Sequence, residues 1–146
     1  MLLSSHFQGF CRDLHSECVD SLTLATTPAV WKTVLRTEFV QYRKLDKGNP
    51  NPGNIGADFS RLGVVFWDDV KAHDAQNNSR RAHLEKLNDW RNAIAHQDFD
   101  PAKLGGTTPL RLMTVRSWRQ SAHHLAVSFD AVMLAHITFL TGTPPW

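Results

Sequence analysis

The sequence predicts an all-α protein of about five helices, forming one domain over residues 1–146. Apolar residues recur at spacings of three and four through most of the chain, which is the period of one helix face. No segment shows the alternation of apolar and polar residues that marks a half-buried strand. Hydrophobic residues make up 42% of the chain, so one ordinary globular core can form.

The first two predicted helices lie before residue 45. Ser4 or Ser5 can cap the first, whose apolar stripe consists of Leu3, Phe7, Phe10, Leu14, Cys18 and Leu22. Thr27 followed by Pro28 predicts the start of the second, because a capping hydroxyl and a proline at the first helical position both favour initiation. This second helix should run to about Lys44 and bury Val30, Val34 or Leu35, and Phe39.

Two stretches with several glycines and prolines are predicted loops, residues 46–54 and 97–113. Two further helices should lie between them. Asn54 is the predicted cap of the third helix, and Ser79 or a nearby asparagine starts the fourth. The third helix should bury Ile55, Phe59, Leu62, Phe66 and Val70.

The final helix has the most regular apolar pattern in the chain. Spacings of three and four alternate along Val115, Trp118, Ala122, Leu125, Phe129, Val132, His136 and Phe139. Such a pattern suits a long helix that lies along the seam of a bundle or at a dimer interface. The tail TGTPPW, residues 141–146, is predicted to be non-helical.

Charge and cysteine usage restrict the class of protein. The net charge of +2 is too small to indicate a nucleic-acid binder by itself. Residues 101–146 are more basic than the rest, which is consistent with a local basic surface or with a solvated face. Cys11 and Cys18 lie too far apart on one helix for a disulfide, so we expect buried free thiols. With no signal peptide and no apolar run approaching a membrane span of about 20 residues, we expect a cytoplasmic protein without a membrane partner.

The motif RNAIAH, Arg91 to His96, lies in the predicted fourth helix. The core stripe of that helix is Leu84, Leu87, Trp90 and Ile94, and a second, polar row is Asn88, Asn92 and His96. At about 100° per residue, Arg91 falls among the apolar positions. A buried guanidinium is unfavourable without a partner, so Arg91 needs a phosphate, a carboxylate or a second subunit.

Structural roles are open for the same side chains. Arg91 can pair with Glu85 or Asp89, or with Asp13 or Glu17 of the first helix. His96 can stabilise a helix C-terminus, where a cationic imidazole is favoured. Asn92 can have a purely local role, because an asparagine near a helix end often hydrogen-bonds only to the neighbouring backbone.

The RNAIAH stretch resembles the signature of HEPN domains, in which an arginine, a polar residue and a histidine lie near the end of a bundle helix. The stretches HFQGFCRDLHSE and NPNPGNIGADFSRLG and the final helix further resemble the RiboL-PSP-HEPN branch, so the likeness covers nearly the whole chain. The resemblance implies a helical bundle that pairs as a homodimer and brings two motifs into a shared cleft.

The resemblance further implies metal-independent endoribonuclease activity, often in toxins or defence effectors. If the protein is a toxin, a neutralising antitoxin protein is an expected partner. Arg91, Asn92 and His96 are the matching site residues, and we expect neither a metal nor a cofactor. The alternative is a non-catalytic HEPN module that binds nucleotide, RNA or a partner protein. A third hypothesis is a helical dimerisation domain in which Arg91 forms an interface ion pair.

The chemistry of the motif agrees with RNA cleavage by the 2′-hydroxyl. That reaction needs a base for the hydroxyl proton, an acid for the leaving 5′-oxygen and positive charge beside the phosphorane. Histidine titrates nearest to neutral pH, which suits His96 to proton transfer. Arginine stays charged and presents a planar fork to phosphate oxygens, which suits Arg91. One helix offers one histidine for two proton transfers, so a symmetric dimer would supply the second.

Overall fold

The computed structural model describes residues 2–26, 28–106 and 109–146. Seven α-helices and no strand occur in these residues, which confirms the all-α class. The helices are α1 (Leu2–Thr26), α2 (Ala29–Val40), α3 (Lys44–Lys47), α4 (Pro52–Ser60), α5 (Phe66–His73), α6 (Asn77–His96) and α7 (Leu112–Thr141). The count exceeds five because the predicted third helix is two helices and because α3 is an extra short one.

The core lies where α7 packs along α1 and α6, with α4 and α5 closing one side. An aromatic cluster forms its centre: Phe59 stacks on Phe66 with ring centroids 4.4 Å apart, and Phe129 meets Phe66 edge-on at 4.8 Å. Most of the predicted stripes of α1 and α7 are buried. Phe139, at the end of the α7 stripe, is an exception because it is 85% exposed. Both cysteines are free and buried, as predicted.

Helix α2 differs from the prediction. It ends at Val40 instead of Lys44, and none of its residues is fully buried. Val30, Val34 and Leu35 are exposed, and Phe39 is half-buried. Periodicity shows which face of a helix is apolar, but it does not show whether another element covers that face. Pro28 precedes the first helical residue, and the predicted capping residue Thr27 lies outside the described residues.

Two more helix starts were predicted wrongly. Asn51, instead of Asn54, caps α4, because its Oδ1 accepts the backbone N–H of Asn54 at 2.8 Å. Pro52 then occupies the first helical turn, where a missing N–H costs nothing. Ser4 and Ser5 do not cap α1, since both lie inside it. Buried Ser4 instead donates a hydrogen bond to Asn88 of α6.

The predicted loop of residues 46–54 shortens to residues 48–51, between α3 and α4. Buried Asp58 of α4 fixes α3 in place, because its carboxylate accepts the backbone N–H groups of Lys44 and Leu45, each at 2.9 Å. The predicted third helix breaks after Ser60. Gly63 has φ +83°, a left-handed conformation that a continuous helix cannot contain.

After α6, the described residues 97–106 and 109–111 are non-helical, as predicted, although α7 begins at Leu112, before the predicted loop end at Met113. Helix α6 begins at Asn77, which is the nearby asparagine of the prediction and is buried. Asn77 Nδ2 donates to Ser128 Oγ at 2.9 Å and so ties α6 to α7. Residues 142–146 are non-helical, as expected, but Thr141, which was predicted to belong to the tail, is the last residue of α7.

Helix α7 is long and apolar enough to cross a membrane by length and composition alone. This finding corrects the expectation that no apolar segment approaches a membrane span. The core helix of a bundle meets the same criterion, and α7 packs against α1 and α6 through a buried face. The criterion is therefore weak evidence for a membrane location.

Candidate functional site

An open cleft of about 580 Å³ lies beside the last turns of α6. The three residues predicted from the motif, Arg91, Asn92 and His96, all line it. The other described lining residues are Asn49, Asp89, Ala93, Asp98, Lys103 and Leu104. Three segments therefore form the cleft: the end of α6, the loop of residues 48–51, and the loop that follows α6.

Arg91 is half-buried on the cleft wall. Its Nη1 donates a hydrogen bond to Asn92 Oδ1 at 3.2 Å. None of the ion pairs found in residues 2–26, 28–106 and 109–146 includes Arg91, so none of the four carboxylates considered from the sequence pairs with it within this chain. A half-buried guanidinium with only an amide partner retains N–H groups that can bind an anion.

Asn92 joins Arg91 to the neighbouring loop. Its Oδ1 accepts a second hydrogen bond, from Asn49 Nδ2 at 2.5 Å. One turn earlier, buried Asn88 donates to the carbonyl oxygen of Pro50 at 3.1 Å. Asn88 and Asn92 of the polar row predicted on α6 therefore contact the loop of residues 48–51.

His96 is the last residue of α6, and it is exposed. Gln97 follows with φ +54°, and the backbone N–H groups of Gln97 and Asp98 both bond to the carbonyl oxygen of Ala93. These bonds end the helix and turn the chain back, so that Phe99 meets Trp90 with centroids 6.5 Å apart. The turn holds the backbone of His96 at the cleft edge and leaves its ring accessible to a ligand.

An ion pair lies at the rim of the cleft beside His96. Lys103 Nζ is 2.7 Å from Asp98 Oδ2, and both side chains are exposed. The hydrogen bond and positive charge of Lys103 lower the pKa of Asp98, and the nearby His96 adds a smaller effect. In return, Asp98 raises the pKa of Lys103. Lys103, a basic residue within the segment 101–146, therefore has its charge compensated by Asp98.

Sequence reasoning missed Asn49, Asp98 and Lys103 as cleft residues. A signal for Asn49 was present, because a polar row on the helix that also carries the core stripe needs hydrogen-bonding partners. That signal did not say which segment supplies the partners. In the described part of the chain, no group of three or more His, Cys, Asp or Glu side chains is arranged to hold a metal ion.

Comparison with known proteins identifies the family. The family model described as RiboL-PSP-HEPN matches residues 1–133, which include the cleft and most of the core. Searches of curated proteins and of solved structures find no match. Because the family model covers most of the 146 residues, the chain belongs to the RiboL-PSP-HEPN family.

Proposed function

We propose that this HEPN module is a metal-independent endoribonuclease that acts as a homodimer, as a toxin or defence effector. The observation that carries the proposal is that Arg91, which has no carboxylate partner in the described residues, shares one open cleft with His96. A phosphodiester supplies the anion that this guanidinium lacks, and bidentate arginine–phosphate pairing is a strong charge-assisted contact. His96 is then close to the same phosphate.

The shared cleft supports the following reaction. His96 accepts the proton of the 2′-hydroxyl, and the 2′-oxygen attacks the adjacent phosphorus while the bond to the 5′-oxygen breaks. Arg91 stabilises the negative charge that develops on the phosphorane. A protonated imidazole donates to the leaving 5′-oxygen. The products are a 2′,3′-cyclic phosphate and a 5′-hydroxyl, and no hydrolytic water is needed for this step.

A homodimer would supply the acid. Each chain contributes one histidine to its cleft, whereas the reaction uses a neutral imidazole as base and a cationic one as acid. A twofold axis beside the cleft would bring a second His96 to the same phosphate. A toxin of this kind would act in the cytoplasm and would need a neutralising partner protein in its host cell.

The test is cleavage of an end-labelled single-stranded RNA by the purified chain, by two site variants and by one control variant. His96→Ala and Arg91→Ala should each abolish cleavage, while His73→Ala, which changes an exposed histidine on α5, should not. Cleavage should persist in EDTA, and DNA or 2′-O-methylated RNA of the same sequence should remain intact. A strict magnesium requirement, or equal cleavage by the parent and both site variants, would refute this mechanism.

The alternative is a non-catalytic HEPN module in which the same cleft binds a nucleotide or RNA phosphate. Lys103 lines the same cleft as Arg91, and its exposed ion pair with Asp98 favours this alternative, because an anion that displaced Asp98 would meet two cations without any proton transfer. Tight RNA binding that His96→Ala leaves unchanged, together with no cleavage by the parent, would select this alternative.

A further inference from the structure

The loop of residues 48–51 is held rigidly against α6 and α1. Gln8 of α1 donates to the carbonyl oxygen of Gly48 at 2.8 Å, and Asn54 donates to that of Asn49 at 2.8 Å. A Cβ at Gly48 would lie only 2.8 Å from Asn54 Nδ2, so a larger residue there would displace the Asn54 side chain that holds the Asn49 carbonyl. These contacts hold the backbone of Asn49 independently of the hydrogen bond that its side chain donates to Asn92.

The hydrogen bonds of Asn92 set the orientation of its amide group. Both partners of Oδ1 are donors, Asn49 Nδ2 at 2.5 Å and Arg91 Nη1 at 3.2 Å. A carboxamide is planar, with its oxygen and its NH₂ group on different branches, so the NH₂ group must point away from both donors. No acceptor in the described residues is hydrogen-bonded to Asn92 Nδ2. Since Asn92 lines the cleft, its two N–H protons are available to a ligand there.

We propose that Asn49 is a positioning residue for this site. It holds Asn92 with the NH₂ group available to a phosphate oxygen, and it keeps the Asn92 oxygen in place as the acceptor that orients Arg91. The inference rests on the proposed function for its substrate, an RNA phosphodiester. Asn49 reaches the reacting atoms only through Asn92 and Arg91, so its loss should affect the orientation of these groups.

Two substitutions at Asn49 separate positioning from packing. Asn49→Ala removes the donor and should lower kcat about 10-fold with little change in KM, a typical loss for a residue that orients a ligand-binding group. Asn49→Asp keeps the shape but presents only acceptors. It should repel Asn92 Oδ1, attract the Arg91 guanidinium and lower kcat about 100-fold. A packing role predicts the reverse order, because the isosteric aspartate fills the same space.

Asn54→Ala is the matched control in the same segment. It removes the hydrogen bond to the Asn49 carbonyl but keeps the Asn49 side chain, and the hydrogen bonds from Gln8 to the carbonyl oxygens of Leu45 and Gly48 still hold the loop. Its kcat should stay within about twofold of the parent value, because the donor to Asn92 remains. Wild-type kcat for Asn49→Asp, or a loss in Asn54→Ala as large as that in Asn49→Ala, would overturn the proposal.

A measurement without catalysis keeps this test separate from the proposed function. In ¹⁵N NMR spectra, titration with inorganic phosphate should shift the Asn92 side-chain NH₂ signals of the parent. The shifts should shrink in Asn49→Ala and disappear in Asn49→Asp. If the parent shows these shifts but cleaves no RNA, endoribonuclease activity fails while positioning stands. If the Asn92 signals respond alike in all three proteins, positioning fails whatever the activity.

Discussion

At the scale of single residues, His15 is a fully buried ionisable group in the core. Its ring meets Phe59 edge-on at 5.5 Å, and Nε2 lies 3.2 Å from the carbonyl oxygen of Asp58. Nδ1 has no hydrogen-bond partner in the described residues. Burial, followed by the positive charge of Arg43, lowers the pKa of His15 to about 4 from an ordinary value of 6.5. The folded protein therefore keeps this imidazole neutral.

This pKa predicts loss of stability in mild acid. Below pH 6.5 the unfolded chain binds a proton at His15, whereas the folded chain does not until the pH approaches 4. The stability gained by keeping His15 neutral is therefore fully present above the unfolded pKa of 6.5 and is lost as the pH falls toward 4. The free energy of unfolding should drop by about 2 kcal/mol between about pH 7 and about pH 5. Urea denaturation at both pH values measures it.

His15→Gln is the control for this effect. A glutamine amide keeps a donor for the Asp58 carbonyl but does not titrate. The variant should lose most of the stability difference between the two pH values, and the remainder should reflect the other histidines. An unchanged difference would show that the ionisation of His15 does not limit stability in acid.

At the scale of elements, the end of α6 determines where His96 lies. Gln97 adopts φ +54° just after it, a left-handed conformation that costs an L-residue about 1–2 kcal/mol. A glycine at position 97 would adopt this conformation without that cost. Part of the gain is offset, because glycine also increases the conformational entropy of the unfolded chain. Gln97→Gly should therefore raise the free energy of unfolding by about 0.5–1 kcal/mol. Thermal unfolding should show a more stable chain, and RNA cleavage assays should show unchanged activity.

Ala95→Gly is the opposite control on the same exposed turn. Ala95 lies inside α6, so glycine there should lower stability by about 1 kcal/mol. If both glycine variants destabilise the chain to the same extent, the left-handed conformation of Gln97 carries no strain.

The elements also show what the sequence predicts and what it does not. The stripes of α1 and α7 were largely predictable because their apolar faces coincide with the core. In α6 the prediction holds for Leu84, Leu87 and Trp90, but Ile94, also predicted to face the core, is 37% exposed because the core does not extend to the last turn of the helix. The α2 stripe was equally clear, yet Val30 and Val34 are exposed because the face is not covered in the isolated chain. Arg91, Asn92 and His96 could be found because one helix carries all three. Asn49 could not, because it reaches Asn92 only through the packing of a loop 43 residues away in sequence.

At the scale of the whole molecule, the proposed mechanism requires two chains per functional cleft. Light scattering should give about twice the 16.5 kDa chain mass at tens of micromolar. Mixing experiments would test whether the clefts are shared. When one part of wild-type chains exchanges subunits with about nine parts of His96→Ala chains, wild-type homodimers are about 1% of all dimers. They then contain only about a tenth of the wild-type chains, so activity per wild-type chain should fall about tenfold. Unchanged activity per wild-type chain would mean that each cleft works alone, and a monomeric mass would exclude the dimer.

The position of the two thiols has a practical consequence for measuring the dimer. Cys11 and Cys18 are the only cysteines of the chain, and burial raises the pKa of both, that of Cys18 to about 12. Alkylating reagents react with the thiolate, so the native cysteines should react slowly in the folded protein. A cysteine introduced at exposed Ala95 would then carry the only spin label of each chain. The distance between two such labels would report directly how far apart the two α6 ends lie in solution.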